Sequence, residues 1–224
     1  MHHLVINNDI TLELPSGAIG ISFSGGVDSS LLAYLVLDQI KDTEIHLFTI
    51  STVQRNLCQH KVCADVLSEI CRLTNNYNVI QHMSVCNSDA EGSSSINLLP
   101  DKMLYHQQIV KSVLYGTNCN PSATDIQGID RFEFLYERTR SPLVTRPLSW
   151  NGQYRPLTNL TKQDIYGIYL EQGITESVYP LTKSCSTDYG QLPCGKCWFC
   201  LERAWGEQPP GPKPKRLPLT YSPI

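Results

Sequence analysis

The stretch Phe23-Ser24-Gly25-Gly26-Val27-Asp28-Ser29-Ser30 decides how the chain is read. Before it runs Gly17-Ala18-Ile19-Gly20-Ile21-Ser22, short and apolar enough for a buried strand. After it runs Leu31-Leu32-Ala33-Tyr34-Leu35-Val36-Leu37, which has a helix's length and composition. Two adjacent glycines at the junction let the backbone turn tightly and come close to a ligand. Asp28 or Ser29 can cap the helix, whose unpaired N–H groups and dipole favour an anion. Strand, glycine turn and helix together predict a phosphate cradle.

Working outward, Glu44 to Ser51 reads as a second parallel strand and Val79 to Val85 as a third, with a helix over Asn56–Leu73 between them. Strands alternating with helices predict an α/β, doubly wound, mostly parallel sheet. Ligands of such sheets bind beyond the carboxyl ends of the strands. That places main-chain groups of Thr49, Ile50 and Ser51 for an adenine contact, with Gln54 and Arg55 in the loop that follows. Arg55 suits a phosphate or carboxylate, the alternative being a solvated loop arginine. Cys58, Cys63 and Cys71 lack ligand spacing and read as core filling.

Asn87 to Ser95 is polar and reads as a mobile loop. Pro100-Asp101-Lys102-Met103 opens a helical stretch expected to reach about Lys111, and Ser112 to Asn118 reads as a fourth strand. Gly116 at its carboxyl end suggests close backbone approach to a ligand. Cys119 to Ile129 is irregular and is expected to line the substrate site, and Arg131 to Glu137 reads as helix. At the other end, His3–Ile6 and Ile10–Leu14, joined by Asn7-Asn8-Asp9, predict a hairpin added to the edge of the main sheet.

Thr161 and Asp164 stand at capping-box distance, Ile165, Ile168, Tyr169 and Leu170 supply an apolar face, and Gly173 stops the helix. Lys162 in its first turn opposes the dipole, which points to a phosphate or carboxylate partner rather than an idle surface lysine. Further on, Cys185, Cys194, Cys197 and Cys200 suit a closed tetrathiolate zinc site, structural rather than catalytic. A disulfide pair and an iron–sulfur cluster are the alternatives. Gly195 eases the knuckle.

The 224 residues, with 41% hydrophobic and 17% charged, allow one sizeable domain with a small appendage. A net charge of -3 offers no global field toward nucleic acid or an anionic membrane, so neither is expected as a partner. No apolar run approaches the ~20 residues of a membrane span, and Met1-His2-His3-Leu4 does not open a signal peptide. The chain reads as cytoplasmic, where nine cysteines stay free or bind metal.

Ser24-Gly25-Gly26-Val27-Asp28-Ser29 is neither GxGxxG nor a Walker loop. It resembles the SGGxDS pyrophosphate loop of the N-type ATP pyrophosphatases (the PP-loop group). Together with Pro156–Ile165 and the Cys-rich run Ser184–Arg203, it is similar to 7-cyano-7-deazaguanine synthase of queuosine biosynthesis. The resemblance implies an adenine nucleotide alpha hydrolase-like fold. It also implies an ATP-dependent carbon–nitrogen ligase that turns 7-carboxy-7-deazaguanine and ammonia into the nitrile, with Mg²⁺ on the ATP, structural zinc, and often a homodimer. On this reading Ser24, Gly25, Gly26, Val27, Ser29 and Ser30 hold pyrophosphate, and Asp28 orients the loop or Mg²⁺. Lys162 and Arg55 neutralise developing charge, while Gln54, Lys102, Gly116 and Asn118 face the substrate.

The parts expected are a hairpin extension (1–16), the pyrophosphatase domain (17–180), the four-cysteine element (181–206) and a Pro-rich tail (207–224). The extra hairpin, and the lack of the family's Tyr-Pro-Asp-Cys-Arg run near Asn118–Phe134, leave other readings open. One is a divergent relative that activates another carboxylate, conjugates the base to another acceptor, or thiolates tRNA through Cys119. Another is an inactive zinc-containing interaction module.

Overall fold

A computed structural model describes residues 1–52, 56–86, 107–121, 149–150, 152–185 and 193–208. Its main sheet contains β3 (Ile19–Ser22), β4 (Ile45–Thr52), β5 (Val79–Cys86), β6 (Ser112–Tyr115), β7 (Ser149–Trp150) and β8 (Gln153–Tyr154). They lie in the order β5-β4-β3-β6-β8-β7. Every neighbouring pair is parallel except β7 with β8. The doubly wound α/β expectation holds, with an antiparallel strand added at one edge.

Strand β3 sits between β4 and β6, so the chain winds outward from it in both directions. Such a reversal of strand order opens a crevice beyond the carboxyl ends of the central strands. Ile19 and Ile21 of β3 join Ile45 and Leu47 of β4 in the principal core. On the opposite face Phe48, Val110, Val113 and Tyr115 make a smaller cluster. A Cβ on Gly20 would stand 2.7 Å from the Phe48 ring and 3.1 Å from Val113, so that glycine makes room for the second cluster.

Helix α1 (Val27–Gln39) is buried from Leu31 through Leu37 on every side. An all-round apolar helix requires cover in all directions. One cover is α2 (Asn56–Thr74), through Val62, Cys63, Val66 and Ile70. Another is the hairpin of β1 (His2–Asn7) and β2 (Ile10–Leu14). Here the structure corrects the sequence reading, because the hairpin forms its own two-stranded sheet and does not extend the main one. Its alternation buries Leu4, Ile6, Leu12 and Leu14 on one face, and α1 supplies the apolar surface they need. The Gln39 side-chain amide fixes the contact by bonding both the N–H and the C=O of Val5, each at 2.8 Å.

Helix α3 (Lys162–Glu171) starts at the expected capping box, with Thr161 and Asp164 satisfying each other's backbone N–H. Gly173 ends it with φ +67°. Ile165, Ile168 and Tyr169 are buried, but Leu170 points outward and is 56% exposed, so it leaves the expected apolar face. The predicted helix from Pro100 to Lys111 lies largely outside the described residues, and residues 107–111 are not helical. Instead Lys111 N–H donates to Ala18 O at 2.8 Å, already running beside β3. The Asn87–Ser95 loop, the Arg131–Glu137 helix and the Pro-rich tail beyond Gln208 lie outside the described residues. Helix α4 (Trp198–Gly206) closes the described fold against α3. Among the described residues, no helix is long and apolar enough to cross a membrane.

Candidate active site and metal centre

The glycine bend leaves β3 after Ser22 and enters α1 at Val27. Its first turn is not capped by Asp28 or Ser29, as the sequence suggested; the N-cap is Gly26, with no side-chain cap. Ser24 and Ser29 are occupied with each other. The Ser29 hydroxyl donates to Gly26 O at 3.2 Å and accepts from Ser24 N–H at 3.2 Å, and the two hydroxyl oxygens are 3.1 Å apart. Gly26 N–H donates to the Ser24 hydroxyl at 3.3 Å. The bend is thus stitched by its own serines, which hold it open at the head of α1.

Gly25 takes φ +71°, a conformation glycine adopts without penalty. A Cβ there would also lie 2.9 Å from Val62 Cγ1 and 3.2 Å from Cys63 Sγ of α2. Burial pushes the Cys63 thiol up to about 11, as a packing cysteine requires. From the other side, Lys183 N–H donates to Gly25 O at 3.0 Å, so the chain approaching the cysteine cluster straps the bend.

Gly116, at the end of β6, is approached closely by the backbone of α1, where the sequence reading expected a ligand. A Cβ on it would stand 2.8 Å from Ser29 N and 2.9 Å from Asp28 C, so the first turn of α1 rests directly on it. Across β3, the register ends at Ser22 opposite Phe48, and β4 runs on through Thr49–Thr52 paired with β5. Thr49 and Ser51 are buried, and the Thr49 hydroxyl donates to Phe23 O at 2.8 Å. Of the other bend residues, Val27 turns its side chain into the core, and its carbonyl accepts from the buried Tyr169 hydroxyl at 2.8 Å. Burial, helped by the charge of Asp28, raises the Tyr169 phenol well above its ordinary value and keeps that donor protonated. Ser30 Oγ is buried with no hydrogen-bond partner among the described residues.

The ionic centre joins the first turns of two helices. The Lys162 ammonium, 5% exposed, contacts both carboxylate oxygens of Asp28, which is 18% exposed. Its expected anionic partner is therefore a carboxylate of the bend itself. A second carboxylate, absent from the sequence reading, stands behind it: Glu202 of α4, 1% exposed, with Oε2 4.0 Å from Lys162 Nζ. Asn118 Nδ2 donates to Glu202 Oε1 at 2.9 Å and to Cys119 O at 3.0 Å, so its amide faces inward. One signal in the sequence was available, since Glu202 shares a helix face with Trp205 and Gly206, both buried. A charge among apolar positions implies a buried partner. Arg55, Gln54 and Lys102 lie outside the described residues.

Cys185, Cys194, Cys197 and Cys200 come together with all four sulfurs within 4.8 Å of one another. Cys194 Sγ lies 3.9 Å from Cys200 Sγ, and Cys197 Sγ 3.9 Å from Cys185 Sγ. Gly195 takes φ +66° in the knuckle, and Cys197, the N-cap of α4, donates its N–H to Cys194 Sγ at 3.2 Å. The cluster can hold a metal, and no disulfide forms among these cysteines. Arg203, in the second turn of α4, binds Thr182 O at 2.8 Å and Tyr179 O at 3.0 Å and stacks over the Tyr179 ring. The same helix therefore anchors the metal knuckle, the strap over the bend and the second carboxylate.

No family model matches the chain, and no curated protein matches it in sequence. Among solved structures it is similar to the U34-tRNA thiolase NcsA from Methanococcus maripaludis, solved with its [4Fe-4S] cluster. That likeness covers 87% of this chain at 12% identity with a TM-score of 0.43. The chain spans 64% of that protein's length, less than two thirds.

Proposed function

We propose that the chain is an ATP-dependent enzyme that adenylates a carboxylate, with 7-carboxy-7-deazaguanine and ammonia as its substrates and 7-cyano-7-deazaguanine as its product. The observation that carries this is the Ser-Gly-Gly bend at the carboxyl end of β3, opening into the first turn of α1 with Asp28 and Lys162 beside it. Helix N-termini at α1 and α3 meet there, and their dipoles add to the lysine in favouring phosphate. Ser24, Gly25, Gly26 and Ser29 would hold the outer phosphates, and Asp28 would serve Mg²⁺. The main chain of Thr49–Ser51, beyond the end of β3, would meet the adenine.

In the reaction proposed, the substrate carboxylate attacks the α-phosphorus and pyrophosphate leaves. Ammonia then displaces AMP to give the amide. With a second ATP, the amide oxygen attacks the α-phosphorus and pyrophosphate leaves; AMP then departs with that oxygen and the nitrogen gives up its two protons in all, leaving the nitrile. Lys162 would offset the charge that develops on the phosphoryl oxygens, and fixed positioning accounts for much of the rate. No covalent nucleophile is required. Cys119, the residue offered for sulfur transfer, is buried beneath Leu160, whose carbonyl accepts its N–H at 3.0 Å.

The four-cysteine cluster fits a single structural zinc ion. A tetrahedral ion with Zn–S of about 2.3 Å sets its sulfurs about 3.8 Å apart, close to the 3.9 Å of two pairs here, with every pair within 4.8 Å. A cluster of several irons, each bound by a different cysteine, spreads the sulfurs wider. A homodimer in the cytoplasm completes the reading. The test is incubation of purified protein with labelled ATP, 7-carboxy-7-deazaguanine and ammonium. AMP, pyrophosphate and the nitrile are the expected products; AMP formed only with another acid would replace the substrate, and no AMP with any carboxylate would refute the reading.

A further inference from the structure

Lys162 is one ammonium between two carboxylates. It touches Asp28, at the edge of the bend, and it has Glu202 4.0 Å behind it. The two acids differ in what surrounds them. Asp28 is partly exposed, beside the crevice, whereas Glu202 is enclosed and held by the Asn118 amide at 2.9 Å. A further contact shows that α4 is seated on this lysine: a Cβ on Gly206 would fall 2.7 Å from Lys162 Cβ and 3.0 Å from Lys162 O. Three segments distant in sequence thus converge to fix an acid that faces no solvent and completes no surface ion pair.

Among the described residues, two carboxylates against one ammonium leave an uncompensated negative charge, and the donor nearest the crevice is the Asp28 carboxylate. A hard oxygen donor with excess negative charge, next to a phosphate cradle, is what Mg²⁺ takes from a protein when phosphates supply other ligands. Yet Asp28 is engaged by Lys162. For Mg²⁺ to take the carboxylate, the ammonium must shift, and a buried ammonium left without an anion is strongly unfavourable.

We infer that Glu202 is a positioning residue for Lys162, the anchor that keeps one donor of its ammonium when Asp28 is given over to Mg²⁺–ATP and leaves the other donors to the phosphates. This rests on the proposed ATP reading. Asn118 orients the anchor, and the cysteine knuckle, through Cys200, fixes the helix that carries it. Without the Glu202 charge, Lys162 keeps Asp28 as its one carboxylate among the described residues, and Mg²⁺ must compete for it.

The experiment follows binding of a fluorescent ATP analogue to the metal-replete full chain as free Mg²⁺ is raised. Glu202→Gln should raise the half-saturating Mg²⁺ concentration on the order of fivefold, within the range of couplings between neighbouring charges. Metal content and melting temperature should stay near wild type. In a Lys162→Met background the same change should have little further effect. An equal rise in both backgrounds would mean that Glu202 acts by plain charge, and a fall in metal content or melting temperature with an unmoved midpoint would mean a merely structural role; either overturns the inference. Asn118→Ala, which releases the acid without altering any charge, should move the midpoint the same way, and an unmoved midpoint there counts against it even where Lys162→Met fails to fold. A wild-type chain that binds no analogue at any Mg²⁺ concentration removes the ATP reading itself, and the inference with it.

Discussion

Replacing Gly25 by alanine separates two costs that the structure assigns to different glycines. The left-handed backbone at φ +71° charges any L side chain roughly 1–2 kcal/mol. In addition, the new Cβ meets Val62 Cγ1 at 2.9 Å and Cys63 Sγ at 3.2 Å. Val62 is β-branched within a helix and has one strongly preferred rotamer, so it gives way only by moving α2. Overpacking of this kind costs about 1–3 kcal/mol, for a total near 2–5. In a chain of this size that lowers the melting temperature by about 4–20 °C. Gly173 is the internal control, since its φ is +67° but no described residue lies within 4 Å of the place an added Cβ would take. Gly173→Ala should therefore lose only about 1–2 kcal/mol. Thermal unfolding followed by circular dichroism, with binding of ATP measured on the same samples, compares the two. Equal losses of stability, or a Gly25→Ala variant that binds ATP like wild type, would refute the claim that the bend is packed against α2.

Asp28→Ala should reduce AMP release by at least about a hundredfold, as loss of electrostatic stabilisation commonly does, with the metal content measured by atomic absorption left unchanged. Cys197→Ser should behave oppositely, lowering folding yield and bound metal together, and a chelator should lower the melting temperature of wild type. Cys63 predicts a pH dependence: burial raises its folded value to about 11, above that of the unfolded chain, so the stability it contributes is present below pH 9 and is lost as pH rises toward 11. Urea unfolding of Cys63→Ala against wild type between those pH values should show the flatter profile for the variant.

What could be read from the sequence was local. The bend, the alternating strands and helices, the capping box at Thr161 and the grouping of Cys185 with Cys194, Cys197 and Cys200 each depend on residues close in the chain or on short spacing. The identity of Lys162's partner was not legible, because Asp28 lies 134 residues away and no periodic pattern links them. The burial of Glu202 left a trace in its helix face, but its partner did not, Asn118 being 84 residues earlier. Capping by Asp28 or Ser29 failed as a prediction because α1 already begins at Val27, which puts both inside its first turn and leaves Gly26 at the N-cap. The hairpin's docking depended on Gln39 and on the unusual all-round burial of α1, which a reading of the hairpin alone does not contain.

Those long separations have a consequence for biosynthesis. The bend emerges from the ribosome well ahead of Lys162, Lys183 and Glu202, which brace it. At cellular translation speeds of about 5–20 residues per second, the delay between Asp28 and Lys162 alone is on the order of ten seconds for the 134 intervening positions. Through that interval a nascent chain carries a loop without its clasp, and α4, which locks it, is made later still. The pocket is thereby withheld until α4 has been made.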